Sequence, residues 1–416
     1  MRLPSLKRNI SGLFILHAVG FVLTFAAIPY LTRVLGVEGW GRLVFVQIII
    51  SYLCWMTNWG YYLGGTKSVA ASRESSVETN NIFSTIWTSQ LLITLVVTAI
   101  FALILFNFSF FRADLYLYLS GILVIFGNLM MPLWFLNGLE KIVESSAIQI
   151  FVKCLALPLY YFFIDGKDNI HLYFLINGCV AIFVGIAMFI WMRACLKVAY
   201  VFPTFKAVVS VTKDNASLFM STILANINTS IIPYSLGIYA GDQALGVFNI
   251  ADRMRGAAVQ ILHPVSHALF PRMGYLMKND KTAAKLLLQR SGRLLMLFSG
   301  LLSFGLFIFA VDIVQLVAGP EFLQAAVLLQ ILAISPLIST AISFLIYQIL
   351  VPAGLDSIYL RAVAIMTLLS LVLSFPVLVA WGPLGSTSLV ILIEIIGLLL
   401  LTRLGYKTLI KKVWVL

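Results

Sequence analysis

IPYLTRVLGVEGWG, at residues 28–41, recurs as IPYSLGIYAGDQALG at residues 232–246, about half a chain further on. Both stretches begin with Ile-Pro-Tyr, continue with an apolar run, and then carry a Gly, an acidic residue and a second Gly five positions after the first. Glycine permits tight turns and proline interrupts helical hydrogen bonding, so each stretch predicts a turn that follows a helix. A weaker pair in the same order, NGLEK at residues 137–141 and AGLDS at residues 353–357, supports two related halves.

The composition indicates a membrane protein. Hydrophobic residues make up 61% of the chain, charged residues only 11%, and the mean hydropathy is +1.02. A helix needs roughly 20 mostly apolar residues to cross the hydrocarbon core, because its backbone groups must be bonded internally. The runs that satisfy this requirement are residues 11–33, 41–64, 82–107, 115–138, 146–164, 171–192, 216–240, 244–268, 290–317, 322–351, 358–381 and 384–405. The sequence therefore predicts an all-α integral membrane protein with twelve transmembrane helices.

The basic residues predict the orientation of these helices. With the N-terminus in the cytoplasm, 21 Lys and Arg residues fall in segments on that side and four on the other. Short cytoplasmic segments carry such an excess, so both termini are expected in the cytoplasm. This topological signal explains the formal net charge of +12 without nucleic acid as a partner. Three cations remain, Lys153, Arg253 and Arg255, and each lies inside a predicted span.

The repeat divides the predicted spans into six and six. Because six is even, both halves enter the membrane in the same orientation, as in a parallel repeat. The predicted organisation is an N-terminal six-helix bundle at residues 1–195, a cytoplasmic linker at 196–215 and a C-terminal six-helix bundle at 216–416. No outer loop is long enough to form a domain, which argues against a membrane enzyme such as a sugar-chain polymerase. The four cysteines show no CxxC or Cys/His pairing, so no metal site is expected.

Four stretches together resemble a known family. They are the opening IPYLTRVLGVEGWG, GYYLGGTKSVA from Gly60, FNIADRMRGAAVQILHPVSHALFPRMG from Phe248, and GPEFLQAAVLLQILAISPL from Gly319. In order and spacing they resemble the Wzx-type O-antigen and polysaccharide repeat-unit flippases of the MOP superfamily, which also holds the MATE drug exporters and the lipid II flippases.

The resemblance implies two six-helix bundles around a central cavity in the bacterial inner membrane. The implied cargo is an undecaprenyl-pyrophosphate-linked oligosaccharide that moves from the cytoplasmic to the periplasmic leaflet by alternating access. Membrane lipids, a polysaccharide polymerase and a chain-length regulator are the partners that the resemblance suggests. No catalytic residue and no cofactor are expected, although H⁺ or Na⁺ could drive the cycle.

A pyrophosphate that crosses the membrane requires positive charge at depth, which singles out the submerged cations as substrate-binding candidates. Arg255 lies about eleven residues into the eighth span, roughly 16 Å from its outer end. Asp252 is three residues earlier on the same face, whereas Arg253 points about 200° away from Arg255. Lys153 has no acid within one turn and either lines the cavity or snorkels to the surface. Lys67, at the inner end of the second span, suits either a first phosphate contact or the ordinary positive-inside bias.

His17 and Glu394 are the candidates for proton or cation coupling, because a histidine changes its charge near physiological pH and a submerged carboxylate can bind a cation. Two alternatives remain open. A MATE-like exporter of small organic cations would favour the submerged acids over the submerged bases. A lipid II-type flippase is less consistent with the second span, which has no Arg or Lys between Leu43 and Gly64.

Overall fold

The computed structural model describes residues 19–20, 22–23, 25–112 and 114–409. The side chains of residues 225, 228, 263–268, 271, 278, 281, 356 and 405–409 are outside this description. The described residues form helices and no strand. Two compact units can be distinguished, and each is described by itself.

The first unit contains Val46–Leu224 and the described residues up to Gly39. Its helices are α1 (Ile28–Asn58, of which Trp40–Phe45 belong to the second unit), α2 (Tyr61–Ala71), α3 (Ser76–Asn107), α4 (Leu115–Leu129), α5 (Leu133–Gly138), α6 (Ile142–Phe163), α7 (Ile170–Cys195) and α8 (Phe205–Asp214). Helices α4 and α7 approach closely, and a Cβ added to Gly178 would lie 2.5 Å from the Leu123 Cβ. Small residues of this kind permit the close backbone approach on which helix packing in lipid depends.

The predicted linker contains helix α8, which packs onto the first unit. The Thr204 side chain caps the helix by accepting a hydrogen bond from the Ala207 amide. The Thr212 hydroxyl lies 2.7 Å from the Ser89 hydroxyl of α3, and the Trp59 indole donates to the Thr212 carbonyl at 2.9 Å. These contacts fix the end of the first unit against its membrane helices.

The second unit contains Trp40–Phe45 and the chain from Ala225 onwards. Its helices are α9 (Ala216–Asn279, from Ala225), α10 (Lys281–Ile308), α11 (Ala310–Val317), α12 (Gln324–Leu332), α13 (Ser335–Phe344) and α14 (Asp356–Leu409), with a π-helical segment at Leu345–Leu350. In this unit, the Phe45 and Tyr234 rings stack with centroids 5.8 Å apart. A residue that closely follows the first repeated stretch therefore packs against the second one.

Glycines break helices α1, α9 and α14. Gly36 in α1 has φ 65° and ψ −176°, and Gly241 in α9 has φ 83° and ψ 177°. These two glycines occupy equivalent positions in the repeated stretches and adopt nearly the same backbone conformation, one that is essentially restricted to glycine. Gly382 breaks α14 with φ 53° and ψ −132°. The two turns that the repeat predicts are thus confirmed.

The breaks explain helices that are too long for one crossing. A straight helix with the 64 residues of α9 would measure about 96 Å, three times the roughly 30 Å of hydrocarbon. Within the described ranges, eight helices are long and apolar enough to cross a membrane, and two of these, Ile28–Ala71 and Ser357–Leu404, contain such a break. Three pairs of predicted spans fall on the two sides of these breaks, so the twelve-span prediction fits the helices.

Candidate functional site

In the second unit, charged side chains cluster around Arg255. This arginine lies in the part of α9 that follows the Gly241 break. The guanidinium donates from Nε to Oδ1 of Asp252 at 2.8 Å, and its Nη2 lies 2.8 Å from the same oxygen. Its Nη1 reaches Oε1 of Glu394 in α14 at 2.8 Å. One guanidinium therefore pairs with two carboxylates, one local and one from a distant part of the chain.

Two serines of α13 complete the cluster. The Ser335 hydroxyl accepts a hydrogen bond from Arg255 Nη1 at 3.0 Å and donates to Glu394 Oε1 at 2.8 Å. The Ser339 hydroxyl, one turn further along α13, donates to the same oxygen at 3.0 Å. Side chains from α9 and α13 thus meet at Oε1 of Glu394, which belongs to α14. We refer to these five residues, Asp252, Arg255, Ser335, Ser339 and Glu394, as the Arg255 cluster.

The cluster is only partly open to its surroundings and is not fully satisfied. The side chains are 20% exposed at Arg255, 30% at Asp252 and 13% at Glu394. The second carboxylate oxygen of Glu394, Oε2, is buried without a hydrogen-bond partner among the described residues. With both acids ionised the cluster carries a net charge of −1. A buried polar atom without a partner is costly, so this oxygen is suited to bind a proton or a small cation.

The sequence places these groups together through local geometry and through helix breaks. Asp252 and Arg255 are three residues apart on one helix, which brings the two side chains to the same face. Helix α14 is broken at Gly382. Glu394 lies about three turns further along, in the part of α14 that follows this break. Pro336 stands in the first turn of α13, directly after Ser335, where a proline costs no helical hydrogen bond.

Arg253 is held away from this cluster. Its guanidinium lies 5.1 Å from the centroid of the Trp40 ring, and its Nε donates to Oδ1 of Asn249 at 2.8 Å. Trp40 is itself buried and belongs to the short segment of α1 that packs in the second unit. The separation from Arg255 agrees with the roughly 200° that the helix geometry predicts.

The remaining predicted site residues lie outside the cluster. Lys153 is exposed on α6 and donates from Nζ to the carbonyl of Gly20 at 3.2 Å. Lys67 is exposed on α2. Both belong to the first unit, whereas the Arg255 cluster belongs to the second. His17 falls outside the described residues. Within the described part of the chain, no group of three His, Cys, Asp or Glu residues is arranged to hold a metal ion.

Three contributors were not predicted from the sequence. Ser335 and Ser339 lie within an apolar span, one turn apart, and that spacing is the signal that could have identified them as one polar face. Trp40 precedes the second glycine of the opening stretch, and nothing in its local sequence indicates a partner more than 200 residues away. The pairing of Glu394 with Arg255 likewise joins two helices that no local pattern relates.

The chain is similar to known proteins in sequence. A model of the family described as “Polysaccharide biosynthesis protein” matches residues 6–277. A protein of Escherichia coli (strain K12) named “Putative O-antigen transporter” is 26% identical over 340 residues, which cover 80% of each chain. A protein of the same name from Shigella dysenteriae is 25% identical over 271 residues, which cover 65% of this chain and 68% of its own.

Solved structures share the fold. An inward-facing multidrug resistance MATE family transporter of the MOP superfamily aligns with a TM-score of 0.69 at 13% identity, covering 94% of this chain and 92% of that chain. The lipid II flippase MurJ in an inward closed conformation aligns with a TM-score of 0.70 at 16% identity, covering 94% of this chain and 86% of that chain. At these identities the likeness concerns the fold alone, and it confirms the predicted all-α membrane fold, which this chain shares with these transporters.

Proposed function

Because the chain belongs to the polysaccharide biosynthesis protein family, we propose that it is a flippase for lipid-linked oligosaccharides. Its cargo is an undecaprenyl-pyrophosphate-linked repeat unit of an O antigen or a similar surface polysaccharide. The protein moves this cargo from the cytoplasmic to the periplasmic leaflet of the bacterial inner membrane by alternating access, with both termini in the cytoplasm. A polymerase and a chain-length regulator would then act on the product. In this proposal the protein carries out no covalent chemistry.

The Arg255 cluster is the observation that carries the proposal. A charged side chain within a membrane span is expensive and is rarely kept without a function. A guanidinium binds phosphate oxygens with two parallel hydrogen bonds, a geometry that lysine does not offer. In the present arrangement Arg255 Nη1 is occupied by Glu394 and Ser335, both of which can be replaced by pyrophosphate oxygens. Asp252 keeps Nε occupied and holds the guanidinium in place.

This exchange gives Glu394 a role in coupling. When pyrophosphate takes Nη1, the Glu394 carboxylate loses its cation and keeps only the hydroxyls of Ser335 and Ser339. A charged carboxylate in such apolar surroundings is costly, so binding of a proton or of Na⁺ compensates for the lost partner. Loss of that ion restores the pair with Arg255 and expels the pyrophosphate. Cargo and the Glu394 carboxylate therefore compete for one guanidinium, and the ion favours the cargo by neutralising that carboxylate.

Deletion of the gene tests the proposed function. The mutant is expected to lose its surface polysaccharide and to accumulate lipid-linked repeat units on the cytoplasmic side, and the wild-type gene should restore the polysaccharide. Arg255→Ala should fail to restore it at equal protein levels in the membrane. Arg193→Ala is the matched control, because Arg193 is an exposed arginine in the last turn of α7. Normal surface polysaccharide in the deletion strain would refute the proposal.

The charge of the cluster also supports a second candidate, the export of small organic cations. Two carboxylates face one guanidinium, and Glu394 Oε2 has no hydrogen-bond partner in the described part of the chain. A cationic substrate would be attracted by this net negative charge. Accumulation of ethidium in the deletion strain, reversed by the wild type but not by Glu394→Gln, together with normal surface polysaccharide, would favour the exporter.

A further inference from the structure

The second unit contains a pocket of about 550 Å³ that is separate from the Arg255 cluster. Three segments of the chain line it, at residues 240–247, 324–328 and 381–384. Gly241 and Gly382, both with positive φ, lie within two of these segments, and Gly319, also with positive φ, precedes the third by five residues. These glycines end or break helices, so the pocket forms where three of the unit's helices begin. The charge distribution predicts that this end faces the periplasm.

The lining offers hydrogen bonding and an aromatic face but no charge. Gln243 and Gln324 contribute two neutral amides, and Trp381 contributes an indole ring; the other lining residues are Ala, Val, Leu and Pro. Both amides are exposed, and neither has a hydrogen-bond partner among the described residues. Each can donate and accept at once, as a sugar hydroxyl does. The absence of charge among these ten residues disfavours both a phosphate and an organic cation as the occupant.

Trp381 supplies a surface for stacking. Its side chain is 67% exposed, and its ring has no aromatic partner in the described part of the chain. Tryptophan is also common at membrane interfaces, where it anchors helices among the lipid headgroups. Anchoring at the membrane interface would explain only the exposed indole of Trp381. It does not account for two unpaired amides on the walls of the same pocket, whose volume lies in the range of small-molecule sites.

The pocket is in register with the Arg255 cluster. On α9 and α14, one lining residue precedes one cluster residue by eleven positions, and Gln324 of α12 precedes Ser335 of α13 by the same number across the turn at residues 333–334. The pairs are Ala244 with Arg255, Gln324 with Ser335, and Pro383 with Glu394. Eleven residues are close to three helical turns, so on α9 and α14 the members of each pair lie on nearly the same face and about 16 Å apart along the axis. The pocket and the cluster therefore lie along the same faces of α9 and α14, at two depths.

We infer that this pocket binds a neutral sugar of the cargo headgroup while the pyrophosphate lies at Arg255. The inference rests on the proposed function. The pyranose ring stacks on Trp381, and its hydroxyls exchange hydrogen bonds with Gln243 and Gln324. The roughly 16 Å between pocket and cluster is then bridged by the sugars nearest the pyrophosphate. In this arrangement the pocket selects repeat units by their sugars, and Arg255 binds the part that all of them share.

Two lipid probes separate these roles. One is the lipid-linked repeat unit purified from the deletion strain, and the other is undecaprenyl pyrophosphate, which has no sugar. Binding is measured on the full chain in nanodiscs, because detergents with sugar headgroups could compete for the pocket. Trp381→Ala and the double variant Gln243→Ala/Gln324→Ala should each bind the repeat unit at least about tenfold more weakly and bind undecaprenyl pyrophosphate as the wild type does. Trp381→Phe, which keeps an aromatic face, should recover most of the affinity.

Controls distinguish this inference from misfolding and from failure of the proposed function. Phe298→Ala removes an exposed aromatic ring from α10 of the same unit and should bind both probes normally. Arg255→Ala should weaken both probes. The pocket inference is overturned if Trp381→Ala leaves binding of the repeat unit unchanged, or if it weakens both probes equally. A wild-type protein that binds neither probe contradicts the proposed function itself, before any pocket variant is compared.

Discussion

Replacement of Glu394 by Gln should strengthen the binding of pyrophosphate, because it removes the group that competes for Arg255. The Glu394 carboxylate contacts the guanidinium at 2.8 Å. Two unit charges at about 4 Å attract each other by about 4 kcal/mol at an effective dielectric constant of 20. Arg255 keeps Asp252, and the desolvation of Glu394 already offsets part of this attraction. We therefore expect a net coupling of about 1–3 kcal/mol, which corresponds to roughly 5- to 150-fold tighter binding.

Farnesyl pyrophosphate is a suitable probe, since it carries the same pyrophosphate on a shorter isoprenoid chain. Its dissociation constant is measured by titration calorimetry for the wild type, Glu394→Gln, Arg255→Ala and the double variant. The gain from Glu394→Gln should vanish in the Arg255→Ala background, because the effect acts through that guanidinium. Glu321→Gln removes one exposed acid from the same unit and controls for the change in net charge. Unchanged or weaker binding by Glu394→Gln would refute the competition between carboxylate and cargo.

Three further predictions concern the frame around the cluster. Gly241→Ala forces alanine into a backbone region that is essentially restricted to glycine, so it should lower the free energy of unfolding by about 1–3 kcal/mol, measured by thermal unfolding. Gly300→Ala, at an open helical position, is the control and should not destabilise the protein. Arg253→Ala removes the contact with the Trp40 ring and should cost about 0.5–2 kcal/mol while still restoring surface polysaccharide to the deletion strain. Thr212→Val removes one of the two hydroxyl partners of Ser89, which keeps Tyr61, and should lower the free energy of unfolding by about 0.5–1.5 kcal/mol, seen as faster proteolysis of the linker.

The architecture could be predicted because its signals are local. A membrane span is recognised from about 20 consecutive residues, and a turn from the glycines that permit it. Gly36 and Gly241 show how far such reasoning extends, since the repeat predicts both turns, and the structure shows nearly the same backbone conformation at the two glycines. The pair of Asp252 with Arg255 was likewise accessible, because three residues of helix determine which side chains share a face.

The rest of the site depends on how separate helices pack, and this is not encoded in any short window. Glu394 is 139 positions from Arg255, and the rotation of α14 about its axis decides whether its carboxylate reaches the guanidinium. The same limit applies to Trp40, whose neighbours in sequence gave no reason to place it beside Arg253. In a chain with 61% hydrophobic residues, nearly every helical face is apolar. Hydrophobic periodicity therefore carries little information about which face of a helix packs against which neighbouring helix.

The repeat itself shows where the two halves have diverged. Aligned on Gly36 and Gly241, Arg255 corresponds to Ile50 and Asp252 corresponds to Gln47. Ile50 is buried and packs so closely against Gly121 that a Cβ there would lie 2.4 Å from the Ile50 Cδ1. The first half thus fills this position with an apolar contact, which is the less costly solution in a membrane. The second half places a cation there and surrounds it with two acids and two hydroxyls. Because the shared fold does not require this charge, its presence in one half supports the pyrophosphate contact that we propose for Arg255.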